Sequence, residues 1–213
     1  MEKLALVTGA SRGFGAAMAE AFAATGTHVI ALARTTGALE ELDDRIKAKG
    51  GSATLVPLDI TDEQGVQRLC LSIFERWGGL DYWLHAAIFA APLSPAGHVP
   101  QNDWRKTVDT NIHATQRLIA NVEPLLIARK GTAILPHDAC AGAKFFGAYG
   151  TSKAAQKALF DSWAAETQNT DLTVSSFAPA PMPTATRARF YPGEDRTPLS
   201  HPSEQAQRLL RKL

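Results

Sequence analysis

The chain alternates short apolar runs with longer stretches in which apolar residues return every three or four positions. The runs cover residues 4–7, 27–33, 53–58, 80–87, 131–136 and 172–177. Runs of this length without strict alternation predict strands buried on both faces, as in a parallel sheet. Between them, helices are expected over residues 13–25 and 37–49. A third helix has Val66, Leu69, Ile73, Phe74 and Trp77 on its buried side and stops at Gly78-Gly79. One continuous helix is expected to include Trp104, Val108, Ile112, Leu118 and Val122 and to end near residue 126. Another begins at Tyr149 and ends near residue 167. A short basic helix, capped by Ser203, covers residues 204–213. The stretch 181–202 is dense in Pro, Arg and Thr and carries no clear period.

The junction between the first run and the first helix carries the most information. It reads Thr8-Gly9-Ala10-Ser11-Arg12-Gly13-Phe14-Gly15. Glycines at a strand-to-helix turn let the backbone come close to a ligand. The free N–H groups and dipole of the helix start then favour an anion such as a pyrophosphate. The second strand ends at Arg34, over the place where an adenosine ribose lies in nucleotide-binding α/β sheets. An acidic residue there would bind a free 2′-hydroxyl, whereas Arg34, with Arg12, offers cations to a 2′-phosphate. Much later, Tyr149 and Lys153 stand four residues apart on one helical face.

The spacing T-G-x-x-x-G-x-G, together with Asn111 and the Tyr149-x-x-x-Lys153 pair, resembles the short-chain dehydrogenase/reductase family. The resemblance covers most of the chain, with the motifs in order. It implies a Rossmann-like, doubly wound parallel sheet of about six strands, flanked by helices on both faces as a three-layer α/β sandwich. A single NAD(P)-binding domain over 1–213 is expected, with 181–202 as its substrate-covering loop. NADP is the expected cofactor, preferred over NAD. The resemblance places it against Thr8, Gly9, Ser11, Arg12, Gly13, Phe14, Gly15, Arg34, Asp59, Ile60, Ala86, Ala87, Tyr149, Lys153, Pro179, Ala180, Met182 and Thr184. Tyr149 would be the general acid/base, its pKa lowered by the Lys153 ammonium, and Lys153 would also hold the nicotinamide ribose. Asn111 would hold a helix kink and a water that links Lys153 to solvent.

Two departures bear on activity. Relatives carry N-N-A-G at the end of the fourth strand, where this chain has His85-Ala86-Ala87-Ile88. Relatives also carry a catalytic Ser after the fifth strand, yet residues 133–150 contain neither Ser nor Thr. That hydroxyl donates a hydrogen bond to the substrate oxygen. His137 as a neutral donor is one substitute, and no substitute at all is the other reading. An ionised Asp138 can only accept. Nothing after Ser203 reads as a strand, so a six-stranded sheet with a different edge from that of relatives is expected.

Two function classes follow. One is hydride transfer between NADP(H) and a carbonyl or secondary alcohol. The other is an NADP-binding sensor or scaffold that has lost catalysis with the missing Ser. Composition narrows the partners further. Net charge is +1, with 45% hydrophobic and 20% charged residues, so no global field points to nucleic acid or an anionic membrane. The two cysteines, Cys70 and Cys140, make no disulfide framework, and Cys70 is expected in the core. No metal site, leader or membrane span is expected. A cytoplasmic homodimer acting on a small molecule is the expectation.

Overall fold

The computed structural model describes residues 2–213. Six strands form one parallel sheet in the order β3-β2-β1-β4-β5-β6. They are β1 (Leu4–Thr8), β2 (His28–Ala33), β3 (Ala53–Pro57), β4 (Tyr82–His85), β5 (Thr132–Pro136) and β6 (Thr173–Phe177). The order reverses between β1 and β4, which opens a crevice beyond their carboxyl ends. β1 is buried at all five positions, which is why its sequence shows no alternation.

Helices cover both faces. On one face α1 (Gly13–Ala24), α2 (Thr36–Lys47) and α8 (Pro202–Leu210) bury Phe22, Leu39, Leu42 and Leu209 against Ala5, Val7, Val29 and Ala31. On the other, α3 (Glu63–Trp77), α5 (Ala114–Ile127) and α6 (Gly147–Glu166) bury Ile73, Leu118, Val122 and Phe160 against Leu4, Leu6, Ile30 and Trp83. Adjacent residues of β1 thus serve two separate cores, as the period of two demands.

Four local expectations are corrected. The long helix through Asn111 is three pieces: α4 (Gln101–Val108), a π-turn (Asp109–His113) and α5. Phe74 is 56% exposed, because α3 turns that side away from the sheet. A six-residue helix absent from the sequence reading, α7 (Ala185–Phe190), lies inside the 181–202 stretch. The cap of α8 is the His201 side chain, which accepts from Ser203 N–H, while Pro202 takes the first turn.

Candidate active site

The turn after β1 is built by two backbone requirements. Gly9 sits at φ +85°, and a Cβ there would lie 2.6 Å from the Ala87 nitrogen. Its N–H, with that of Ala10, reaches back to the Leu32 carbonyl at 2.8 and 3.1 Å. At Gly15 a Cβ would run into the Gly9 carbonyl oxygen, so α1 starts as close to β1 as the chain allows. The N-cap residue Arg12 makes no side-chain cap bond, which leaves the first N–H groups of α1 without a capping side chain.

These groups form one end of a cleft of about 740 Å³ along the carboxyl ends of the strands. Ser11, Arg12, Gly13, Phe14, Arg34, Asp59 and Ile60 line that end. Arg34 is well exposed and 3.6 Å from Asp59 Oδ2. Ala86, Ala87, Pro179, Ala180, Met182 and Thr184 line the middle, and Tyr149, Lys153, His137, Asp138 and Cys140 the far end. The Ala180 N–H is taken by Gln205 Oε1 of α8 at 2.9 Å, and Thr184 caps α7. Thr8 is the one expected cofactor contact that does not reach the cleft. Its hydroxyl is fully buried between the Leu84 carbonyl and His85 Nδ1.

A buried polar ladder underlies the cleft floor. His85 Nδ1 meets Thr8 Oγ1 at 2.8 Å, and Nε2 meets Thr115 Oγ1 at 2.9 Å. Gln156 Nε2 donates to Thr115 Oγ1 at 3.0 Å, and its Oε1 accepts from Lys153 Nζ at 3.0 Å. Burial first, and then the nearby Lys153 charge, push the His85 pKa down to about 3, so the ring is neutral. Lys153 also donates to the Pro136 carbonyl at 2.8 Å. Burial brings its pKa down to about 8, against the opposing pull of Asp138 and Cys140. Thr115 and Gln156 were missed in the sequence. Gln156, one turn after Lys153, carries the only local signal.

Asn111 sits fully buried in the π-turn. Its Oδ1 accepts from Phe89 N–H at 2.7 Å, and its Nδ2 donates to the Phe89 carbonyl and Ser152 Oγ, each at 2.9 Å. The side chain therefore braces the segment after β4 against α6.

The Tyr149 hydroxyl donates to Asp138 Oδ2 at 2.5 Å. Its ring is 2% exposed, beside Phe146 and Phe190. Burial and then the Asp138 charge raise its pKa, opposite to the lowering expected from Lys153. The side chain bonded to the Tyr149 hydroxyl is Asp138, while His137 lines the same end of the cleft without bonding it. His137 holds its backbone N–H on Phe177 O at 2.8 Å and leaves its buried Nδ1 without a protein partner. Burial and the Lys153 charge keep that ring neutral by lowering its pKa. Both arginines of α7 have partners within the protein. Arg187 forms a two-pronged pair with Glu194, at 2.6 and 2.5 Å, and Arg189 donates to the Ala90 carbonyl.

The family model for short chain dehydrogenases matches residues 3–195. The chain belongs to the short-chain dehydrogenase family. It is 33% identical over 180 residues to a fatty acyl-CoA reductase of Acinetobacter baylyi, covering 82% of this chain and 60% of that protein. It thus spans about three-fifths of the length of that relative. A short-chain dehydrogenase structure from Salmonella enterica serovar Typhi superposes with a TM-score of 0.91 at 28% identity, covering 96% of this chain and 86% of that one. One from Shigella flexneri, complexed with NADP, superposes with a TM-score of 0.88 at 28% identity, covering 95% and 87%. Among the described residues no helix is long and apolar enough to cross a membrane, and no cluster of His, Cys, Asp or Glu is suited to a metal ion.

Proposed function

We propose that this short-chain dehydrogenase is an NADP(H)-dependent oxidoreductase that moves a hydride between the nicotinamide and a heteroatom-bearing carbon of a small molecule. The carbonyl/secondary-alcohol pair is the form its sequence suggests. The observation that carries the reading is that one cleft joins the glycine turn and Arg34 to Tyr149 and Lys153. The turn suits the group it would hold, since side chains at Gly9 and Gly15 would strike backbone and α1 begins without a capping side chain.

In this reading the first N–H groups of α1 hold the pyrophosphate, and Arg34 with Arg12 holds the 2′-phosphate. Ala86 and Ala87 leave room for the nicotinamide ribose, which Lys153 binds. The nicotinamide supplies or takes up the hydride. Tyr149 stands at the substrate heteroatom and handles its proton, and Gln156 and His85 fix Lys153 from below. The segment 181–202, held by the Arg187–Glu194 pair, covers the substrate within a single domain. Two copies meet through the π-turn, α5 and α6, where Ile112, Ala155, Ala158 and Leu159 line a shallow apolar groove. The protein acts in the cytoplasm on a small molecule, without nucleic acid or membrane.

A binding-only sensor is the second reading, favoured by one observation: the single proton of the Tyr149 hydroxyl is spent on Asp138. Fluorescence titration with NADPH and NADH, followed by NADPH oxidation against ketones, aldehydes and cyclic imines, separates the two. Tight NADPH binding with turnover lost by about 10³-fold in Tyr149→Phe supports the enzyme. Binding without turnover across the panel supports the sensor, and no nucleotide binding contradicts both.

A further inference from the structure

The Tyr149–Asp138 pair at the heteroatom end of the cleft has the wrong polarity for a neutral carbonyl. A carbonyl oxygen accepts hydrogen bonds and gains negative charge as the hydride arrives. The pair waiting for it is Tyr149 and Asp138. The tyrosine's single proton is already directed at Oδ2, and a carboxylate has only lone pairs to offer. Asp138 is exposed to the cleft, and no Lys, Arg or His among the described residues lies within ion-pair distance of it. Of the neighbouring cations, Lys153 donates to the Pro136 carbonyl and Gln156 Oε1, and Arg187 pairs with Glu194. The rings of Phe146, Tyr149, Phe190 and Tyr191 pack together and line the same cleft, with Arg187 over Tyr191, and offer apolar surface to a substrate body.

We infer that the acceptor at this site is a protonated carbon–nitrogen double bond, an iminium whose N–H donates to Asp138, on a substrate with an apolar or aromatic body. The inference rests on the nicotinamide reading above and narrows its substrate from oxygen to nitrogen. The reaction balances without a proton from the enzyme. A hydride from the reduced nicotinamide forms the new C–H bond, the π pair of C=N becomes the nitrogen lone pair, and the iminium becomes a neutral amine. The nicotinamide leaves oxidised, and the amine takes its next proton from water. The step asks no proton of Tyr149, so its hydrogen bond to Asp138 can stay in place, whereas protonating an alkoxide would take that proton away from the carboxylate.

The test compares two bicycles of similar size, 3,4-dihydroisoquinoline and 1-tetralone, as acceptors for NADPH, with calorimetric binding of tetrahydroisoquinoline and 1-tetralol to the protein in NADP⁺. The imine should exceed the ketone in kcat/KM by at least about tenfold, and the amine should bind at least about tenfold tighter than the alcohol. Asp138→Asn, which places a donor where only an acceptor stood, should cost the imine and the amine about tenfold or more. Asp138→Ser should shift the preference the same way and serves if the first variant fails to fold. NADPH affinity should stay within about twofold in either variant, because Asp138 lies away from the glycine turn. A wild type that prefers the ketone, or variants that leave both ratios unchanged, overturns the inference. NADPH binding with neither imine turnover nor amine binding overturns it alone. Failure to bind NADPH removes the nicotinamide reading as well.

Discussion

His85 shows how much one residue can change the floor of a site while leaving its outline intact. A departure in the sequence, it is a fully buried histidine with both ring nitrogens hydrogen-bonded. Its ring joins Thr8 to Thr115 and is held neutral, with a pKa near 3. The folded value lies below that of a free histidine, so the unfolded chain binds the proton first as acid is added. The stability of the neutral buried ring is complete above about pH 6.5 and drains away as pH falls toward 3. Relative to His85→Asn, the wild type should lose about 2 kcal/mol between pH 6.5 and 4.5, measured by urea denaturation without nucleotide. Parallel losses in the two proteins would contradict the buried neutral ring. Gly9, Gly13, Gly15, Arg34, Tyr149 and Lys153 were legible because their positions depend on local spacing. Asp138 was not. It was set aside as an acceptor, and its approach to Tyr149 depends on the path of a loop that includes Phe145 at φ +70°.

At the scale of elements, all six strands were legible, since each apolar run lies between clear breaks. The helices were legible in number more than in detail. The run through Trp104 and Val122 reads as one helix because a π-turn adds a residue without disturbing which residues are apolar. That extra residue lets Asn111 bond Phe89 on one side and Ser152 on the other. Asn111→Ala would leave the Phe89 N–H and carbonyl without these partners, so a loss of about 1–3 kcal/mol is expected in thermal or urea denaturation. An unchanged midpoint would show that the π-turn does not depend on the side chain. The short α7 left no periodic trace in six residues. Its start at Thr184 and its tether through Arg187 to Glu194 are tertiary facts.

For the whole molecule, the topology places the cleft and the cleft orders the residues. The sheet reverses between β1 and β4, so the glycine turn of β1 and the Ala86-Ala87 step after β4 open onto the same crevice. Arg34, at the end of β2, stands at the outer rim and faces Asp59 from β3's end. An exposed cation there adds affinity only for a cofactor with a phosphate on the ribose. Arg34→Ala should weaken NADPH by about 10-fold or more and leave NADH within about twofold, read by fluorescence titration. Equal weakening of both would place Arg34 in the fold rather than in phosphate recognition. The central claim is hydride transfer from the nicotinamide at the Tyr149–Lys153 end of this cleft. Its most direct measurement uses NADPH carrying two deuteriums at C4, with the reduced product analysed by mass spectrometry. One deuterium in the product for each NADPH consumed is the predicted result; a product without deuterium, or binding without any labelled product, would contradict it.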